Sequence, residues 1–288
     1  MAFALRPDDR NLTAALRRIA RGELGPALAQ VAAGAPDAPA VHDVRKRIKK
    51  LRGLLRLVRP GFPAARDEVA ALRGVAQGLA PVRDAEVALD WAGRLGAAQD
   101  GALGAWLAAR VETARAGTDM PAALAAARQG LAAMEGRLPG WRVRGKDAAV
   151  LQRALERTLA RGARSMAAVR DTGAAEAMHD WRKRVKDLWY QARLLSPVWP
   201  AGLAPWRDTA DDLGERLGEY NDLAVLALLL DGAGGDAAAE AAVIRAKAQR
   251  MAADIASAAL VTGARLHAAP PETAAALILS WWRVWRAG

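Results

Sequence analysis

The chain of 288 residues contains no cysteine, which excludes disulfides and thiolate metal sites and leaves nothing that points to an oxidising compartment. Phenylalanine and tyrosine number only two each and histidine three. Runs of Val, Ile, Thr and aromatic residues are missing, so a sheet has little to be built from. No uninterrupted apolar stretch approaches the roughly 20 residues of a membrane span. The opening MAFALRPDDRN lacks the basic, apolar and cleavage regions of a signal peptide, and a soluble cytoplasmic protein is the expectation. There is no Walker-type phosphate loop, no HExxH pair, no nucleophile elbow and no cysteine nucleophile, so the expectation is a protein that is not an enzyme and needs no cofactor or metal.

What is present is helix-forming and basic. Hydrophobic residues make up 52%, with alanine and leucine dominant, enough for a core and well suited to helices. Lys and Arg total 42 against 31 Asp and Glu, a net charge of +11, and the pI is about 10.8. Such a balance points to a polyanionic partner: nucleic acid, an anionic membrane or a phosphate polymer. Periodicity and Pro/Gly punctuation predict helices over 9–33, 38–59, 63–79, 82–98, 100–116 and 121–136, then 148–169, 174–195, 203–217, 220–231, 236–260 and 271–286.

One helix is written twice. VHDVRKRIKKLRGLLRLVRP at 41–60 and MHDWRKRVKDLWYQARLLSPVWP at 178–200 align at a shift of 137, with nine identities in the sixteen positions from His42 to Leu57. His42, Arg45, Lys46, Arg47, Lys49 and Arg56 pair with His179, Arg182, Lys183, Arg184, Lys186 and Arg193. Upstream, Arg17-Arg18-Ile19-Ala20-Arg21-Gly22 is echoed by Arg157-Thr158-Leu159-Ala160-Arg161-Gly162; downstream, Leu79-Ala80-Pro81-Val82-Arg83-Asp84 is echoed by Leu217-Gly218-Glu219-Tyr220-Asn221-Asp222. Three matches in one order indicate an internal duplication. It predicts an all-α chain of two helical-bundle repeats, 5–137 and 145–286, with the boundary at Leu138-Pro139-Gly140-Trp141.

At about 100° per residue, His42, Arg45, Lys46, Lys49, Arg52 and Arg56 occupy an arc of roughly 120°, opposite an apolar face. In the second copy His179, Arg182, Lys183, Lys186 and Arg193 repeat the cationic face, with Tyr190 upon it. Eight basic residues and one acid in 41–60 repel one another along the helix, which suggests an anion that the chain itself does not supply. A solvated face is the alternative. A bound phosphate would favour the charged form of the two histidines; a helix-start packing role is their other reading.

These residues resemble the CHAD family, the conserved-histidine α-helical domain. His42-x-x-Arg45 with Lys49-Lys50-Leu51-Arg52, and His179-x-x-Arg182 with Lys186-Asp187-Leu188, look like its paired signature, and the likeness runs from about residue 5 to 286. It implies two four-helix bundles related by pseudo-two-fold symmetry. It also implies a basic groove that binds inorganic polyphosphate, in the cytoplasm and associated with polyphosphate granules or with polyphosphate-metabolising partner proteins. The polyphosphate ligands would be His42, Arg45, Lys46, Lys49, Arg52 and Arg56, then His179, Arg182, Lys183, Lys186 and Arg193, with Arg17, Arg21, Arg157 and Arg161 as walls and Lys50 at the rim. Arg83 is assigned to a structural ion pair with Asp84, and Asn221-Asp222 to a helix cap. Trp189 and Asp187 stand where the first copy has Arg52 and Lys50, so the first half should contribute more of the affinity.

Three rival readings remain. Nucleic acid is the chief alternative partner, although no helix-turn-helix, zinc finger or interleaved aromatic platform accompanies the stripe. Asp211, Asp212 and Glu215 could hold a metal for an enzyme, or serve as a solvated face or counter-ions. The tail Ser280-Trp281-Trp282-Arg283-Val284-Trp285-Arg286 has an interfacial composition, or else docks onto the second bundle, the favoured reading.

Overall fold

A computed structural model describes residues 3–32, 38–78 and 81–288. Every regular element among them is helical: α1 (Leu12–Ala32), α2 (Ala38–Val58), α3 (Ala65–Gly78), α4 (Pro81–Arg94), α5 (Ala102–Ala116), α6 (Met120–Arg137), α7 (Asp147–Thr172), α8 (Ala175–Leu195), α9 (Pro200–Leu230), α10 (Ala238–Leu266) and α11 (Pro271–Ala287), with short 3-10 turns at Leu138–Gly140 and Gly235–Ala237. The predicted Leu79-Ala80 element and Pro36 lie outside the described residues.

Sequence and structure part at residue 218. The sequence predicts a break there; α9 runs through it unbroken for 31 residues. At the aligned place in the first half, the described helices α3 and α4 end at Gly78 and resume at Pro81. A lone glycine inside a helix costs about 1 kcal/mol against alanine, whereas proline clashes with the preceding turn and removes a donor. Glu219, where the first half has Pro81, lets the second helix continue. Asn221 and Asp222 are therefore mid-helix residues, not a cap.

Three apolar cores form. In the first, Leu16, Ile48, Leu55, Leu72 and Leu131 join α1, α2, α3 and α6, with Val150, Leu194 and Ile278 reaching in from the second half. Another joins α7, α8, α9 and α10 around Trp181, Val185, Leu213 and Ala259. Between them, Trp91, Leu103 and Leu107 of the α4–α5 hairpin pack on Leu223, Leu226 and Ile244 of α9 and α10. The cores thus cross the line between 137 and 145. The predicted boundary itself is pinned: Trp141 is buried, its indole N–H donates to Glu68 at 3.3 Å, and Glu68 takes two hydrogen bonds from Arg137 at 2.8 Å.

The last helix is docked. It packs chiefly on α7 of the second half, as the docked reading expected, and its Trp281, Trp282 and Trp285 also lie against the first core; Trp281 stands edge-on to Trp199 with ring centres 4.7 Å apart, and Arg286 donates to the carbonyls of Pro7 and Asp9 at 2.7 Å. No helix among the described residues is long and apolar enough to cross a membrane.

Candidate polyanion site

The two duplicated helices touch. Val44, Ile48, Leu51, Leu54, Leu55 and Val58 bury the apolar face of α2, and Met178, Trp181, Val185, Leu188 and Ala192 that of α8. Their other faces cross each other at Gly53 and Tyr190. A Cβ at residue 53 would lie 2.5 Å from the Tyr190 Cβ, so only glycine admits this approach. Gly53 and Tyr190 are themselves partners in the shift of 137. Contact between equivalent positions is what a two-fold axis passing through that point produces. Tyr190, expected on the open cationic face, is instead buried under this crossing, and that burial raises its phenol pKa.

On one side of the crossing, cations from four helices converge in a recess. Lys49 of α2 faces Arg83 of α4 and Arg182 and Lys186 of α8, along with its own neighbour Arg45. Desolvation in the recess, followed by this crowding, lowers the Lys49 ammonium to about 8. Arg45 donates to the Ala76 carbonyl at 3.3 Å near the end of α3, and Arg52 stands close to Arg56 and Arg73. Glycines make room again on α9: the Lys186 stem lies across Gly214 and the Arg182 guanidinium across Gly218. Arg52 Nε and Arg182 Nε are buried donors with no hydrogen-bond partner among the described residues.

The family model described as the CHAD domain matches residues 7–231, which carries both copies of the basic helix and the recess between them. The chain belongs to the CHAD domain family. The match ends with α9, short of the predicted limit at 286; α10 and α11 lie beyond it. No curated protein matches this CHAD chain.

The other residues singled out by sequence fall in different places. His179 is tied to α9, its Nδ1 2.8 Å from the Asn221 amide oxygen, and Lys183 pairs with Asp180 at 2.8 Å. His42 and Lys46 are exposed on the outer part of α2. Arg193 stacks over Trp189 at 4.8 Å, and Lys186 lies over the same ring at 4.5 Å, so the indole that replaces Arg52 in the second copy is held between two cations. Lys50 and Arg17 do not join the recess. Lys50 pairs with the buried carboxylate of Glu23 at 3.0 Å, and Arg17 is held by the Trp141 carbonyl at 3.0 Å. Arg21 is exposed on α1, while Arg157 and Arg161 meet Arg59 and Arg56 on the far side of the crossing.

Two arginines were underweighted by sequence. Arg83, assigned to a pair with Asp84, lies beside Arg45 and Lys49; Arg73 of α3 completes the wall. Arg73 lies outside the matched segments, and Arg83, though within one of them, has Asn221 as its counterpart and so did not read as a repeated cation. Of the acids, Asp211 and Glu215 are counter-ions to Lys186 at 3.4 and 2.6 Å, and Asp212 pairs with Arg216. No group of three potential metal ligands forms among the described residues. A cavity of about 760 Å³ on the α4–α5 hairpin is lined by Leu89, Leu107 and Val111 under Glu86, Asp90 and Glu112. Arg94 and Arg115 also line it, Arg115 being tied to Glu86 and Glu112, so the rim carries no surplus of cations for an anion.

Proposed function

We propose that this CHAD chain is a non-catalytic binder of inorganic polyphosphate, cytoplasmic and serving to target or organise polyphosphate granules. In this reading the fold is an internal duplication, two four-helix units about a pseudo-two-fold axis at Gly53 and Tyr190. One unit is α1, α2, α3 and α6; the other is α7 and α8 with parts of α9 and α10. The observation that carries the reading is the convergence of Arg45 and Lys49 with Arg83, Arg182 and Lys186 on one recess, with Arg52 one turn further along α2 beside Arg73. A row of cations so close repels itself, and a ligand bearing a charge on every unit and no base edges relieves that repulsion without any sequence code. Arginine supplies forked bonds to phosphoryl oxygens and lysine a point charge. His42, Lys46, His179 and Lys183 extend the surface outwards.

Nucleic acid fits less well. The two aromatic rings beside the stripe are taken, Trp189 between Lys186 and Arg193 and Tyr190 beneath α2, whereas single-strand binding relies on faces open to stacking. Calorimetric titration with long-chain polyphosphate, at two salt concentrations and beside single-stranded RNA matched for charge, tests the choice. Saturable polyphosphate binding that outcompetes the RNA is the expected result. Equal binding to both, lost together at moderate salt, would leave only a general polyanion surface. The triple change Arg45→Ala, Lys49→Ala and Arg52→Ala should remove binding while the helical circular dichroism is kept.

A further inference from the structure

Past the crossing, the cationic face of α2 continues in a direction that the central recess does not use. Arg56 forms an ion pair with the buried Asp187, which Arg184 also holds at 3.1 Å. Arg59 is exposed, among Arg56, Arg66, Arg157 and Arg161, and Arg184 lies close to Arg161. The array ends in an open cavity of about 240 Å³ between α7 and α8, lined by Arg161, Arg164, Arg184 and Ser165 with Asp180 at its edge. Asp180 is engaged by Lys183, and Asp187 by two arginines, so the acids nearest the cavity are already neutralised.

The opposite end of the crossing is closed. There Lys50 and Arg193 both lie 5.6 Å from the ring of Phe3, which packs edge-on against Tyr190, and the Leu5 amide bonds the Leu194 carbonyl at 2.8 Å. Buried Glu23 takes Arg47 at 3.2 Å and Lys50 at 3.0 Å. By sequence identity Glu23 corresponds to Ala163; by the burial pattern it corresponds to Gly162. In either register the second copy has no acid there.

We infer that the bound polyanion leaves the central recess on one side only, along Arg56, Arg59, Arg157 and Arg161 into the α7–α8 cavity, where Arg161, Arg164 and Arg184 grip a further run of phosphate groups. This deepens the polyphosphate reading and rests on it. It makes the site directional despite the duplication: a short chain is held by the recess alone, and a longer one gains contacts at the α7–α8 end.

Titrations of the full chain with tripolyphosphate and with long-chain polyphosphate test this, comparing three variants. Arg59→Ala with Arg161→Ala and Arg164→Ala should leave tripolyphosphate affinity unchanged, weaken the long chain at least tenfold, and flatten its salt dependence by roughly 2 in the log–log slope. Arg6→Ala, an exposed arginine beside Leu5 on the closed side, should change neither. Lys49→Ala with Arg52→Ala should weaken both ligands. Wild-type long-chain affinity and salt slope in the first variant, with the recess variant still defective, would overturn the directional track and leave the polyphosphate reading standing. Equal loss from Arg6→Ala would overturn its one-sidedness. Wild-type binding by the recess variant would sink the polyphosphate site itself.

Discussion

The two ends of the α2–α8 crossing carry related sequences and opposite electrostatics. At the first-copy end, Glu23 is buried at 2% exposure and holds Arg47 and Lys50, while Phe3 covers what is left. At the second-copy end, no acid takes that place from α7; Asp187 holds Arg56 and Arg184 much as Glu23 holds Arg47 and Lys50, but Arg161 and Arg164 beyond it open onto a cavity. A duplicated cationic helix is thus structural at one end and available for ligand at the other. Charge counted along a helix does not measure charge offered to a ligand; the partner across the interface decides that. The expectation that the first half contributes more affinity rested on such a count.

The largest effect should come from breaking the closed end. Glu23→Ala leaves the partly buried Lys50 without a counter-charge and Arg47 with Asp43 alone, and about 3 kcal/mol of stability should be lost. A fall in thermal midpoint of only a degree or two would show the pair to be solvent-screened and the contrast between the ends overstated. Next, Gly53→Val forces α2 and α8 apart where a Cβ has 2.5 Å of room. Overpacking of this kind costs roughly 1–3 kcal/mol, and polyphosphate affinity should fall with it, read by titration of the folded protein.

The converse experiment copies the closed end onto the open one. Ser165→Glu sets a carboxylate into the α7–α8 cavity one turn from Arg161; long-chain polyphosphate should bind about five- to tenfold more weakly, with folding stability changed little. Unchanged affinity would mean that the α7–α8 end is not used.

Lys49 gives a pH signature for the recess common to both ends. Its ammonium is held at about 8, below the ordinary lysine value near 10.4, because the folded state disfavours the charge. The folded-state pKa is therefore the lower one, the unfolded chain binds more protons between about pH 8 and 10.4, and the free protein gains stability from this group as pH rises through that window. In the polyphosphate reading, the bound ligand restores the proton. Binding should take up a fraction of a proton near pH 8–9, read from the buffer dependence of the calorimetric heat, and Lys49→Arg should abolish the uptake. The smallest effect is expected from Glu215→Gln, which frees Lys186 from its 2.6 Å counter-ion. Affinity should rise two- to threefold, and a decrease would assign Glu215 to the site rather than against it.

Much of this was legible in the residues. Ten of the eleven helices correspond to single predicted segments, and the cationic arc of α2 follows from its spacing alone. So did the counter-ion reading of Asp211 and Glu215. The merged α9 was missed because one glycine looks like a stop signal until its neighbours are weighed, and Glu219 in place of Pro81 was the available clue. Arg73 was missed because it lies outside the matched segments, and Arg83 was underweighted because Asp84 beside it offered a partner in sequence. Lys50 was misplaced because Glu23 lies 27 residues away, and the meeting of α1 with α2 is a matter of packing.

Local chemistry therefore determined what this chain could offer: all-helical segments, and two amphipathic faces crowded with Lys and Arg and repeated 137 residues apart. Periodicity, propensity and charge act over a turn or two and are written in the order of residues. Tertiary structure decided which of those charges face one another, which are neutralised and which remain for a ligand. Those outcomes depend on contacts between distant segments, such as Tyr190 seated on Gly53, Arg182 and Lys186 laid across Gly218 and Gly214, and Glu23 against Lys50. A Coulomb interaction is set by distance and dielectric, and only the folded chain fixes both.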